Sequence, residues 1–132
     1  MAKILVVEDH PEALDSLTIW LELADYTVVV ARDGYEALAL LPKEKPDLVM
    51  TDGCLPGLSG VDLIKAIRVP LTSFQDIPII MVTGYYTEFV SEATKAGANR
   101  VISKPANPDT IVAAVKSLLN PPRIAIGQEQ GP

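Results

Sequence analysis

The sequence predicts an α/β protein built on a doubly wound, five-stranded parallel sheet, and three observations carry that prediction. Short apolar runs rich in β-branched residues recur at Ile4 to Val7, Thr27 to Ala31, Leu48 to Thr51, Ile79 to Val82 and Val101 to Ser103. Each is nearly all apolar rather than alternating, the pattern of strands covered on both faces by helices. The segments between them have helical spacing. A chain of 132 residues holds five such βα units but not the eight of a closed barrel, which leaves an open sheet.

The helices differ in how clearly they are marked. The first carries Leu14, Leu17, Leu21 and Ala24 on one face, with Pro11 suited to the first turn. The last carries Ile111, Val115, Leu118 and Leu119, opened by Asn107 as cap and Pro108 behind it. Weaker patterns predict helices over Tyr35 to Leu41, Val61 to Arg68 and about Thr87 to Ala96, the last stopped by Gly97. The expected strand order is 2-1-3-4-5, in which strands one and three are neighbours at the switch point where ligands bind.

Composition narrows the function classes. A hydrophobic fraction of 48% with 21% charged residues is that of one folded domain, expected over residues 1–120. Residues 121–132, with Pro121, Pro122, Gly127 and Gly131, have the composition of a flexible tail or linker. No apolar run approaches a membrane span, and Met1-Ala2-Lys3 leads straight into Ile4 without a secretory signal, so the expected location is cytoplasmic, with no membrane partner. The formal charge of −6 and eleven scattered basic residues argue against direct nucleic-acid binding. The single cysteine, Cys54, is expected to be a reduced thiol.

The chemistry lies at the strand ends. Strand one runs into Glu8-Asp9 and strand three into Thr51-Asp52, so this topology gathers three carboxylates at one mouth of the sheet. Such groups repel one another and persist most readily around a divalent cation, and oxygen donors suit magnesium. The alternative, that Glu8 and Asp9 only favour a helix dipole, is weakened because Pro11 at the first helical position leaves Asp9 outside the helix. Strands four and five end at Thr83 and Lys104. A hydroxyl and an ammonium there complement a phosphate, although either alone would be an ordinary solvated residue.

The ordered set ILVVED, DLVMTDGCLPGLSG, IPIIMVTG, AGA and ISKP resembles the receiver domain of response regulators over about residues 3 to 119. That resemblance implies a flavodoxin-like (βα)5 fold and a phosphoacceptor of two-component signalling. Asp52 would take a phosphoryl group, and Mg2+ would be held by Glu8, Asp9, Asp52 and the backbone carbonyl of Cys54. Thr83 and Lys104 would bind the phosphoryl oxygens, and the Lys104–Pro105 peptide would be cis. The implied partners are a histidine kinase or histidine phosphotransfer protein as donor, and a downstream protein or fused output domain as target. Such a domain takes part in its own phosphorylation and dephosphorylation and is not an enzyme for a separate substrate.

Two residues depart from the family pattern. Val101 stands where receivers commonly carry Tyr or Phe, which puts the usual aromatic relay in doubt, and Gly53 brings backbone freedom beside the acceptor. The rival readings fit less well. An aspartate-nucleophile phosphatase of the haloacid dehalogenase kind wants a second Asp at position 54, where this chain has Cys54. A flavin-binding flavodoxin wants a hydroxyl-rich loop after strand one, where this chain has Glu8-Asp9. A non-phosphorylated module of the same fold would not need the complete constellation. His10 is expected to cap or lie on the surface, and Trp20 and Leu23 to extend the apolar face of the first helix into the core.

Overall fold

A computed structural model describes residues 1–120; the tail expected over residues 121–132 lies outside the described residues. The chain alternates β1 (Lys3–Val7), α1 (Pro11–Leu23), β2 (Thr27–Ala31), α2 (Gly34–Glu44), β3 (Leu48–Asp52), α3 (Gly60–Ile67), β4 (Ile79–Thr83), α4 (Tyr86–Ala96), β5 (Arg100–Ser103) and α5 (Pro108–Leu119). All pairings are parallel, in the order β2-β1-β3-β4-β5, as the sequence predicts.

Successive strand residues point to opposite faces, and each face has its own core. Ile4, Val6, Leu48, Met50, Ile80 and Val82 meet Leu14, Leu17 and Leu21 of α1 and Ile111 and Val115 of α5. Leu5, Val7, Val49, Ile79 and Met81 meet Ala37 and Leu41 of α2, Leu63, Ile64 and Ile67 of α3 and Ala93 of α4. Burying each of the larger side chains contributes roughly 1.5–3 kcal/mol. β3 and β4 are buried throughout, whereas the edge strands β2 and β5 are half-buried, because each has a neighbour on one side only.

Helix starts follow side-chain chemistry. Asp33, Ser59 and Asn107 accept the backbone N–H of Glu36, Asp62 and Thr110 at 2.8, 3.1 and 2.8 Å. Pro11 and Pro108 occupy first-turn positions. α2 runs past Leu41 through Pro42 to Glu44, longer than its apolar spacing predicts, and ends at Lys45 in the left-handed conformation. Leu23 is not core: it is 79% exposed on the outer face of α1, while Trp20 packs against the core beneath. No helix among the described residues is long and apolar enough to cross a membrane.

Register sets where the strands stop. Val7 pairs with Thr51, Asp52 with Val82, and Thr83 with Ser103. Backbone bonds from Glu8 to Ala31 (3.0 Å) and from Lys104 to Thr83 (2.8 Å) extend the ladders by one residue. The carboxyl ends of β1, β3, β4 and β5 are therefore level, and the residues that follow them share one mouth.

Candidate functional site

Glu8, Asp9, Asp52, Thr83 and Lys104 all come from that level edge. Asp52 and Thr83 are the last residues of β3 and β4 rather than the first beyond them, so both are buried, as is Glu8. The ammonium of Lys104 lies 3.0 Å from Glu8 Oε1 and 3.6 Å from Asp52 Oδ2. The peptide that follows it, Lys104–Pro105, is cis.

The carboxyl groups are not equivalent. Burial pushes the Glu8 carboxyl up, but the hydrogen bond and charge of Lys104, with contacts from His10, outweigh it and hold Glu8 below the ordinary carboxylate range. Asp52 is held above that range, first by burial and then by the negative charge of Glu8. Lys104 and the backbone N–H groups of Cys54 and Gly53 offset only part of this. Asp52 Oδ1 accepts a long bond from the Cys54 N–H at 3.4 Å, and Lys104 is nearer to Glu8 than to Asp52 Oδ2. Asp52 thus keeps lone pairs for chemistry while Glu8 is occupied.

The residues fit a divalent cation. One donor atom each from Glu8, Asp9, His10 and Asp52 lies within 4.8 Å of the others. Asp9 Oδ1 is a buried oxygen without a hydrogen-bond partner, a costly arrangement unless positive charge meets it.

Thr83 Oγ1 accepts the Tyr85 N–H at 3.0 Å, which leaves its own proton to give away. The reason Gly53 adjoins Asp52 is space rather than backbone freedom: it is not among the residues with positive φ. A Cβ there would stand 2.9 Å from Thr83 Oγ1 and 3.0 Å from Phe89 Cδ2, so glycine lets the hydroxyl and the Phe89 ring close over the backbone just past β3. Phe89 meets Tyr85 edge to face at 6.1 Å, and Val101 packs half-buried in the same core.

Gly60, a residue the motif reading left without a role, is equally constrained. Its N–H bonds to the Gly53 carbonyl at 3.0 Å, and a Cβ would collide with the Asp52 carbonyl. The sequence signal was the glycine in LSG just before an apolar helix. His10 occupies the capping position of α1, but its side chain makes no capping bond; the ring turns back to Glu8 instead. Cys54 is a free, exposed cysteine, and burial together with the nearby Asp52 charge raises its thiol pKa, which fits an inert sulfur.

The sequence profile of the response regulator receiver domain matches residues 4–116. The chain belongs to that receiver domain family. Its role is that of a phosphoacceptor signalling domain. The receiver is 38% identical over 124 residues to the alkaline phosphatase synthesis transcriptional regulatory protein PhoP of Bacillus subtilis, covering 93% of this chain and 50% of PhoP. It is 35% identical over 131 residues to the phosphate regulon transcriptional regulatory protein PhoB of Pseudomonas aeruginosa, covering 98% of this chain and 56% of PhoB. The chain therefore spans about half the length of these relatives. The chemotaxis response regulator CheY4 of Vibrio cholerae superposes with a TM-score of 0.83 at 32% identity, covering 90% of this chain and 99% of CheY4. A CheY-like receiver domain protein of Methanospirillum hungatei gives 0.83 at 32%, covering 91% and 94%.

The raised Asp52 pKa has a consequence for stability. Because folding lifts this carboxyl above its ordinary value, its favourable contribution is complete below that ordinary value, about pH 4, and is lost as pH rises through the raised one. Asp52→Asn removes the ionisation. Without divalent ions the variant should melt above the wild type at about pH 7, by an order of a few degrees, with the gap closing near pH 4. Equal melting curves at both pH values would show that the Asp52 charge is not under strain.

Proposed function

We propose that Asp52 is the phosphoacceptor of this receiver, and that it takes the phosphoryl group from a phosphohistidine on a histidine kinase or histidine phosphotransfer protein in the cytoplasm, as one step of a phosphorelay. The observation that carries this is the contrast between two buried carboxylates sharing one ammonium: Glu8 is engaged by Lys104 and His10, whereas Asp52 presents a carboxylate with spare lone pairs. In the transfer an Asp52 carboxylate oxygen attacks phosphorus in line. The new P–O bond forms as the P–N bond breaks, and the electron pair leaves with the donor imidazole.

The residues around Asp52 hold and neutralise rather than react. Lys104 carries three N–H donors and can give one to a phosphoryl oxygen without leaving Glu8. The free proton of Thr83 would go to another. A magnesium ion held by Glu8, Asp9, Asp52 and the Cys54 carbonyl would supply positive charge against the transferring group. Loss of the phosphoryl group to water would return the carboxylate, so the chain turns over its own modification rather than a separate substrate. The domain is read as residues 1–120, with residues 121–132 as a tail or linker; the output is a downstream protein or a fused domain.

Incubation with acetyl phosphate and Mg2+ should add one phosphoryl group by intact mass, none in Asp52→Asn, and much less when EDTA replaces Mg2+. Equal modification of Asp52→Asn would sink the proposal.

The switch passes through Thr83. Drawing its hydroxyl toward a phosphoryl group would disturb the bond it accepts from Tyr85 N–H, and with it Tyr85 and the Phe89 ring that Tyr85 meets edge to face, contacts that would differ between the two states. On phosphorylation the backbone amides of Tyr85 to Phe89 should shift strongly in NMR spectra, and Thr83→Ala should attenuate those shifts. Perturbation confined to the residues around Asp52 would rule this route out.

A further inference from the structure

We propose that Nδ1 of His10 is an additional donor of the acidic site, so that the site accepts a later first-row divalent transition ion through one imidazole nitrogen and its carboxylate oxygens, and does not depend on magnesium alone. The inference rests on the metal site read above and adds to it a ligand and a class of ion.

His10 occupies the capping position of α1 in an extended conformation, yet its side chain caps nothing. The ring is 70% exposed and free to extend into water, but Nδ1 lies 3.2 Å from Glu8 Oε2 and 3.4 Å from Asp9 Oδ1. That second oxygen is the buried, unpartnered one. Metal–donor bonds of about 2.0–2.2 Å put neighbouring donors of one ion about 3 Å apart and opposite donors about 4–4.5 Å apart. The observed separations of 3.2 and 3.4 Å, with one donor from each of the four residues within 4.8 Å, need only a small contraction to meet that geometry.

The donor type then decides the ion. Oxygen-only sites suit magnesium, whereas an imidazole nitrogen raises affinity for the later transition ions in the usual order. Because the ring is exposed, its replacement removes a donor without opening the core.

The test titrates the chain with Co2+ alone and with Mg2+ alone by calorimetry, in the wild type and in His10→Ala. Loss of a supporting group one layer out from a metal already costs about 10–100-fold in affinity. Loss of a direct donor should therefore weaken Co2+ at least tenfold, while Mg2+ changes less than about twofold. Independently of any variant, Cu2+ bound to the wild type should show imidazole 14N coupling in pulsed EPR, and His10 is the chain's single histidine. Equal Co2+ affinities in the two proteins, or absence of that coupling, overturns the inference. If this occurs while Mg2+ still supports Asp52 phosphorylation, only the role of His10 falls. If neither ion binds and Asp52 stays unmodified, the reading of the site falls and this inference with it.

Discussion

The ammonium of Lys104, 3.0 Å from Glu8 and 3.6 Å from Asp52, holds together a mouth that would otherwise repel itself. Two of the three carboxylates there are buried, and buried charge is tolerated only when it is paired. One cation cannot satisfy both. It favours Glu8, whose carboxyl it holds down, and leaves Asp52 with a carboxyl held up. The shortage of positive charge at Asp52 is one that a divalent ion would fill.

That imbalance is built by the sheet rather than by the loops alone. Parallel register brings the ends of β1, β3, β4 and β5 level, and two independent cores, one on each face, fix the strands that carry the charged groups. Glycines at 53 and 60 let Thr83, Phe89 and the start of α3 approach the β3 backbone closely. A cavity of about 510 Å3 lies at the opposite end of the sheet, lined by Asp47, Phe74 and Pro78, far from these groups. A second cavity, about 380 Å3 and lined by Leu17, Trp20, Lys104 and Pro105, opens beside the mouth.

The strand order and the gathering of Glu8, Asp9, Asp52, Thr83 and Lys104 at one edge were legible because they depend on pattern. Buried parallel strands leave unbroken apolar runs, and a polar residue directly after such a run must emerge at the edge. Boundaries were legible to within a residue at Asp52 and Thr83, where a polar side chain at the last ladder position looks like a loop residue. Three features were not. The space role of Gly53 depends on Phe89, thirty-six positions away in the chain, and spacing cannot show that contact. The turn of His10 toward the acids depends on a side-chain rotation that the sequence does not show: the residue is exposed at the capping position, as expected, but makes no capping bond. Leu23 is apolar by type, but two residues beyond Leu21 it sits about 200° round α1, on the exposed outer face.

The central claim is that Asp52, not Glu8 or Asp9, receives the phosphoryl group, and trapping the modified carboxyl tests it most directly. Borohydride reduces an aspartyl phosphate to homoserine, so treating the phosphorylated chain and sequencing its peptides by mass spectrometry locates the acceptor. The account predicts homoserine at position 52 with Glu8 and Asp9 unchanged. A reduced residue at position 8 or 9, or full phosphorylation with position 52 intact, would contradict it.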